Sequence, residues 1–320
     1  MQEIIEDPRQ NLLEKINLEK ARVEFSESHI VLLCGGKVRF KERPDDDEPI
    51  RSSLRHAITH APPEFETFRP EDITDWHVDG LFKNLMNFEQ ELAGICSLVV
   101  IALESAGSIA ELGAFSQLPD LSEKIVAIKS RDFETDANLA SFINLGILRF
   151  LRENKNSSVR NYPWNISAPH AIEDEVVRDV LFDISEILSE IPKTSIFNPN
   201  LTTHVAALLC ELTTIFAAVR ESEFSAYLDF FDIKISRDDL RRKLFLLERF
   251  GLLKKEMYSD STFFMVGRSK FHRLRLASKD AAIRIDSARV NMECLQFYKT
   301  DSKQRNRQRA ISQASKGVQR

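Results

Sequence analysis

The sequence is poor in the residues that build metal sites, disulfide frameworks and histidine-based catalysis. Only four cysteines occur in 320 residues (Cys34, Cys96, Cys210 and Cys294), none in CxxC spacing, and the first three sit inside apolar runs. That usage argues against a zinc site or a disulfide scaffold and for a reducing, cytoplasmic compartment. The seven histidines show no HxxxH or HExxH spacing, so no metal site is expected. The acidic run Asp45-Asp46-Asp47-Glu48 reads as a solvated loop, because contiguous acids point in different directions. No apolar run, 97–103 included, approaches the ~20 residues of a membrane span, and no membrane partner is expected. Met1 to Asp7 is acidic and polar, so no secretory signal is expected either.

What is present is an ordinary globular composition, 43% hydrophobic and 29% charged. At ~150 residues per domain the length suggests two domains. Charge divides along the chain. The net charge is −5, yet from Ser195 to Arg320 there are 23 Lys+Arg against 14 Asp+Glu, and all the acidic excess lies before that point. Two modules with different partners follow, the basic one a candidate for nucleic acid or another polyanion.

Residues 1–28 read as a polar arm or helix. Beyond them, short aliphatic runs alternate with helical patterns. Strands are expected at 29–34 (HIVLLC, stopped by Gly35-Gly36), 64–68, 98–103 (LVVIAL) and 124–129. Helices are expected at 50–60, 78–94, 108–117 and 138–152, and another at 173–191 after a link over 154–169. This order predicts a Rossmann-like α/β domain at 29–192, with a parallel sheet and helices on both faces. Ligands of such sheets sit at the carboxyl ends of the strands, where both glycine turns fall. A second domain at 193–302 shows helices at 201–220, 223–231 and 236–250, then strands at 252–257 and 262–266. Three helices followed by a hairpin is the order of a winged helix-turn-helix. A last helix is expected at 278–298, and 303–320, with six basic and no acidic residues, as a basic flexible tail.

The segment Glu104-Ser105-Ala106-Gly107-Ser108-Ile109-Ala110-Glu111 carries the chemistry. A strand end, a glycine turn and a helix start aim backbone N–H groups and a positive dipole end at a ligand. Glu111 lies one turn into the helix, from where its carboxylate can point back into the crevice; alternatively Ser108-x-x-Glu111 is only a capping box. Gly35, Gly36, Glu71 and Asp72 fall on the same rim. Several carboxylates without a histidine or cysteine pair suggest chemistry at a sugar carbon, with a carboxylate as nucleophile or electrostatic stabiliser. In the second domain, Arg237, Arg241, Arg242 and Lys243 lie on the exposed side of a helix, and Lys254 and Lys255 begin the hairpin. They are the candidate phosphate contacts. A helical domain that packs only on a protein partner is the alternative.

The pieces Leu33-Cys34-Gly35-Gly36, Arg69-Pro70-Glu71-Asp72, Glu104 through Ser116 and Ser141-Phe142-Ile143-Asn144-Leu145-Gly146 occur in the order seen in retron effector toxins. The chain resembles these nucleoside deoxyribosyltransferase-like, winged-helix proteins over about 29–155, with domain order carrying the rest. The resemblance implies an N-glycosidase acting on a nucleotide, with NAD⁺ as substrate rather than cofactor, in an antiphage response. It also implies restraint by the retron reverse transcriptase and its branched RNA–DNA product (msDNA), and a homo-oligomer or ribonucleoprotein assembly. On that pattern Glu111 is the catalytic glutamate. Gly35, Gly36, Glu71, Asp72, Glu89, Glu104, Ser105, Gly107, Ser108 and Asn144 are the substrate-binding candidates. The wider family has a base-binding aspartate where this chain has Ser105, a departure that favours hydrolysis over base exchange. The rival from another class is a DNA-binding regulator whose first domain senses a nucleotide without turnover. A cytokinin-type phosphoribohydrolase is disfavoured, because Glu104-Ser105-Ala106-Gly107-Ser108 stands where its Pro-Gly-Gly-x-Gly-Thr loop would be.

Overall fold

Two segments that read as polar or basic surface turn out to anchor a unit of their own. In the computed structural model, which describes residues 6–61, 63, 65–131, 141–267 and 270–317, the chain divides into two compact units. One comprises 1–27, 78–82 and 192–320, the other 28–77 and 83–191. The opening residues form α1 (Pro8–Lys15) and β1 (Ile16–Glu24). They belong to the first of these units instead of forming a free arm, with β1 as the central strand of a sheet.

The second unit is built on five strands, β2 (Ile30–Cys34), β3 (Glu66–Phe68), β4 (Leu98–Ala102), β5 (Ile125–Ser130) and β6 (Val159–Tyr162). All neighbouring pairs are parallel, in the order β3-β2-β4-β5-β6. Every residue of β2, β4 and β5 is buried, as expected of strands covered on both faces. The helices are α2 (Leu54–His60), α3 (Leu85–Ile95), α4 (Ala106–Ser116), α5 (Arg149–Asn154) and α6 (Asp174–Ser189). One core joins Val31, Leu33, Val100 and Ile128 to Leu54 and Ile58 of α2 and to Val180 and Ile184 of α6. Each such side chain contributes roughly 1.5–3 kcal/mol by leaving water. Relative to the first strand β2, the chain runs outward to β3 on one side and to β4, β5 and β6 on the other. The reversal at β2/β4 is a topological switch point, where doubly wound sheets open a crevice beyond their carboxyl ends.

Two sequence expectations for this unit change. The segment over 154–169 is not just a link, since β6 forms the sheet edge. The helix expected at 138–152 starts outside the described residues; within them, a π-helical turn Ile143–Leu148 leads into α5.

The other unit continues through β7 (Thr194–Ile196), α7 (Thr202–Phe216), α8 (Glu221–Phe230), α9 (Arg237–Arg249), β8 (Leu253–Tyr258), β9 (Ser261–Val266), β10 (Arg273–Ser278), α10 (Ser287–Thr300) and α11 (Arg305–Gly317). Three helices followed by the antiparallel β8–β9 hairpin match the expected order. Unexpected is the antiparallel sheet β10-β1-β7, in which β1 pairs with both partners. The C-terminal stretch, read as a flexible tail, is a docked helix. Arg307, 1% exposed, donates to the Ala218 carbonyl and to Glu223, while Ala310 and Ala314 are buried beside it. Arg9 reaches the same Glu223 carboxylate at 2.6 Å. Among the described residues no helix is long and apolar enough to cross a membrane.

Candidate active site

At the switch point, β2 ends in Cys34-Gly35-Gly36 and β4 leads into Glu104. The Glu104 carboxylate accepts from the backbone N–H groups of Gly36 (2.9 Å), Leu54 (2.7 Å) and Arg55 (3.0 Å). It therefore sits on the N-terminus of α2, where the helix dipole and unbonded amides favour an anion. Burial holds its carboxyl above the usual range despite these amide donors. The two glycines are needed for this approach. Gly35 has φ +155°, and a Cβ on it would lie 3.0 Å from both the Arg55 Cβ and Glu104 Oε1. A Cβ on Gly36 would fall 2.7 Å from the Ser53 Cβ. Gly35, Gly36 and Glu104, three of the substrate-binding candidates, contact one another and the start of α2.

The second glycine turn resolves the choice left open for Glu111. Helix α4 is capped by Ser105, whose Oγ accepts from the Ser108 N–H at 3.1 Å, while the Ser108 hydroxyl accepts from the Ser105 N–H at 3.1 Å. The capping box is Ser105–Ser108, so Ser108 is buried and Glu111 is left out of it. Ala106 and Gly107 are exposed on this first turn.

Glu111 instead joins a cluster. Its Oε2 is buried with no hydrogen-bond partner among the described residues. Burial raises its pKa, against the pull of the Arg55 guanidinium and a hydrogen bond to Cys34. The Cys34 thiol is itself pushed well up by burial and by the Glu111 charge. Glu89, buried on α3, is carried up to about 7 by burial and then by the Glu111 and Glu71 charges.

Arg55, which the sequence did not single out, is the cation of the cluster. Its side chain is 4% exposed and grips the Glu71 carboxylate with Nη1 at 2.8 Å and Nη2 at 2.5 Å. Burial alone would raise the Glu71 pKa, but this pairing carries it below the usual carboxylate range. Its only sequence signal was position, in the first turn of a helix opposite two glycine turns.

Asp72 stands apart. It closes its own 3₁₀ turn by accepting from the Arg69 N–H at 3.0 Å and pairing with the Arg69 guanidinium. Asn144 lies on the π-helical turn, with Lys129 Nζ at the end of β5 donating to its Oδ1 at 3.5 Å.

Of the basic residues expected to meet phosphates, Arg237 is exposed as expected. Arg237 and Arg241 both pair with Glu221, at 3.0 and 2.9 Å, and Arg242 pairs with Asp239 one turn away. Lys243 is buried. On β8, Lys255 is exposed and Lys254 half-buried. Glu221 and Asp239 thus meet three of the cations of α9 within the unit.

Comparison with known proteins gives a family. The profile described as STM3845 retron effector protein matches residues 47–255, about two thirds of the chain. A candidate ribosyltransferase/DNA-binding protein of retron Ec86 from Escherichia coli is 32% identical over 133 residues, 40% of this chain and 39% of that protein. Its counterpart from retron Ec73, also from Escherichia coli, is 31% identical over 80 residues, 25% of this chain and 24% of that protein. The chain therefore matches well under half the length of either relative.

Proposed function

The chain belongs to the STM3845 retron effector family, and on that premise we propose that it is the toxin of a retron antiphage system, an enzyme cleaving the N-glycosidic bond of a nucleotide, NAD⁺ foremost. One observation carries the reading: beside the switch point of a parallel sheet, Glu111 lies outside its helix cap and its buried Oε2 has no hydrogen-bond partner among the described residues. The relatives' ribosyltransferase names support the same class of chemistry.

In this mechanism the sugar C1′ faces the Glu111 carboxylate. The bond from C1′ to the pyridinium nitrogen breaks, nicotinamide leaves neutral with the bonding pair, and the carboxylate stabilises or captures the oxocarbenium carbon. Water then adds at C1′ and gives its proton to Glu89, whose pKa near neutrality suits a general base. The exposed first turn of α4 receives the pyrophosphate. Arg55 keeps Glu71 ionised and sets the charge balance of the pocket. The unit that carries α7 to α11 is the part that meets the retron reverse transcriptase and its msDNA, which restrain the toxin. No cofactor takes part.

Purified protein freed of its restraint and incubated with NAD⁺ should release nicotinamide, and Glu111→Gln should lower release at least a thousandfold while unfolding at the same or a higher temperature. Release by Glu111→Gln at the wild-type rate rules this mechanism out. A nucleotide-sensing DNA-binding regulator is the second reading, favoured by the excess of basic residues after Ser195. Toxicity that survives Glu111→Gln would select it.

A further inference from the structure

Three cations of α9, Arg237, Arg241 and Arg242, meet acids of the same unit, which raises the question of where this unit presents unmet positive charge. The sheet β10-β1-β7 answers it. Along β1, Ala21 and Val23 are buried while Lys20 and Arg22 are exposed. On β10, Leu274 is buried while Arg273 and Arg275 are exposed. The register sets Arg22 directly opposite Arg275, and Glu24 opposite Arg273. Two arginines facing each other across an antiparallel pair repel and destabilise the ladder. Glu24 lies only at the edge of ion-pair range from Arg275, at 4.0 Å, and neither Arg22 nor Lys20 enters an ion pair among the described residues. The fold thus carries a repulsion that a bound anion would relieve.

This face floors an open groove of about 1090 Å³, with Arg284 on its far wall and Glu211 and Asp286 as its other acids beside Glu24. The groove runs into a second, of about 860 Å³, sharing Glu24, Glu211 and Arg273 with it. The character changes there to apolar and aromatic, with Phe25, Phe271 and the exposed Met292 in the lining. A cationic track beside aromatic rings is how single strands are held, phosphates on the cations and unpaired bases against the rings.

We propose that the outer face of β1 and β10, with the adjoining Phe25–Phe271 groove, is a binding site for single-stranded DNA. This rests on the reading above that the protein has a DNA partner, and it moves that contact from α9 to the sheet. The Arg22–Arg275 pair grips backbone phosphates, and the aromatic groove selects strands whose bases are unpaired.

The test uses the full chain and a fluorescein-labelled, mixed-sequence single-stranded DNA, followed by anisotropy across a salt series. Arg22→Glu replaces a like-charge pair with an opposite-charge one, so its melting temperature should hold or rise. Its affinity should fall at least tenfold, and the slope of log K against log salt should flatten by about 1. Phe271→Ala should narrow the preference for single strands over duplex. Arg237→Gln with Arg241→Gln should bind within twofold of wild type. The site is overturned if Arg22→Glu binds like wild type, if the α9 variant loses binding instead, or if the wild type binds no DNA. Tighter binding of duplex DNA, RNA or polyglutamate also overturns it. Nicotinamide release is read separately. DNA binding through Arg22 without nucleotide cleavage refutes only the glycosidase, and cleavage without DNA binding refutes only this site.

Discussion

Replacing Glu89 by glutamine separates stability from catalysis in a measurable way. Glu89 is buried on α3, and burial with the Glu111 and Glu71 charges takes its pKa from 4.5 to about 7. The folded protein therefore binds this proton more tightly than the unfolded chain. The sign follows: the folded state is favoured most below about pH 4.5, and that advantage is lost as pH rises through about 7. At ~1.4 kcal/mol per pH unit, ionised Glu89 costs the fold about 3 kcal/mol at about pH 8, but only about 1 kcal/mol at about pH 5. Glutamine keeps the shape and cannot ionise. Glu89→Gln should thus be more stable than wild type by about 2–3 kcal/mol at about pH 8, with the gain shrinking to about 1 kcal/mol or less at about pH 5. Urea unfolding followed by tryptophan fluorescence measures this, because both tryptophans, Trp76 and Trp164, belong to the unit that holds Glu89. Trp76 also stacks on Phe88 at 5.5 Å, next to the mutated position. Nicotinamide release should fall in the same variant. Stability curves for the two proteins that run parallel from about pH 5 to about pH 8 would refute the placement of Glu89 in a charged, buried cluster.

Two further changes test the scaffold. Glu104→Ala removes the acceptor shared by three backbone amides at the start of α2, and should cost about 2–4 kcal/mol of stability in urea unfolding, whereas Glu111→Gln should cost little. Arg307→Met leaves the Ala218 carbonyl and Glu223 without their buried partner. It should lower stability by about 2–4 kcal/mol, less than a fully orphaned buried charge because Arg9 stays on Glu223. Burial alone would raise the Glu223 pKa, but Arg307 and Arg9 hold it low. The stabilisation by that pair should therefore be present at neutral pH and disappear as pH falls below the ordinary carboxylate range.

The parallel sheet was legible because its signals are local. The runs 30–33, 98–102 and 125–128 are uniformly aliphatic and lead into glycine or polar residues, and order along the chain then implies parallel pairing. The sheet β10-β1-β7 was not legible for the opposite reason. Its strands lie far apart in sequence, and INLEKARVE alternates only over its last few residues, so its charged face mimics a polar helix. The short edge strand β6 likewise carries too little apolar pattern to stand out from a loop. At the site, sequence identified Glu111 and the glycine turns but could not assign their jobs. Whether a carboxylate after a strand faces solvent, a ligand or another helix's amides depends on where α2 begins, and it begins at Leu54, placing two of its N–H groups against Glu104.

That division of labour bears on the kind of substrate the crevice can accept. Glu104 is spent on backbone amides, and Arg55 is engaged by Glu71. What remains in front of β2 and β4 is Glu111, whose unpartnered Oε2 is buried, and Glu89 with a pKa of about 7. Glu71 is met by Arg55, whereas burial raises the pKa values of Glu89 and Glu111, so that when these two are ionised they leave an excess of negative charge that a cation would relieve. An anionic or neutral ground state gains nothing from that excess. A pyridinium ring does, and so does the positive charge that develops on a sugar carbon as its bond to the base breaks. Carboxylates fixed in a buried cluster stabilise such charge without reorganising. The phosphates of the proposed substrate would suffer from that potential unless kept away from it, and the reading proposed above places them at the exposed turn of Ala106 and Gly107, on the positive end of α4.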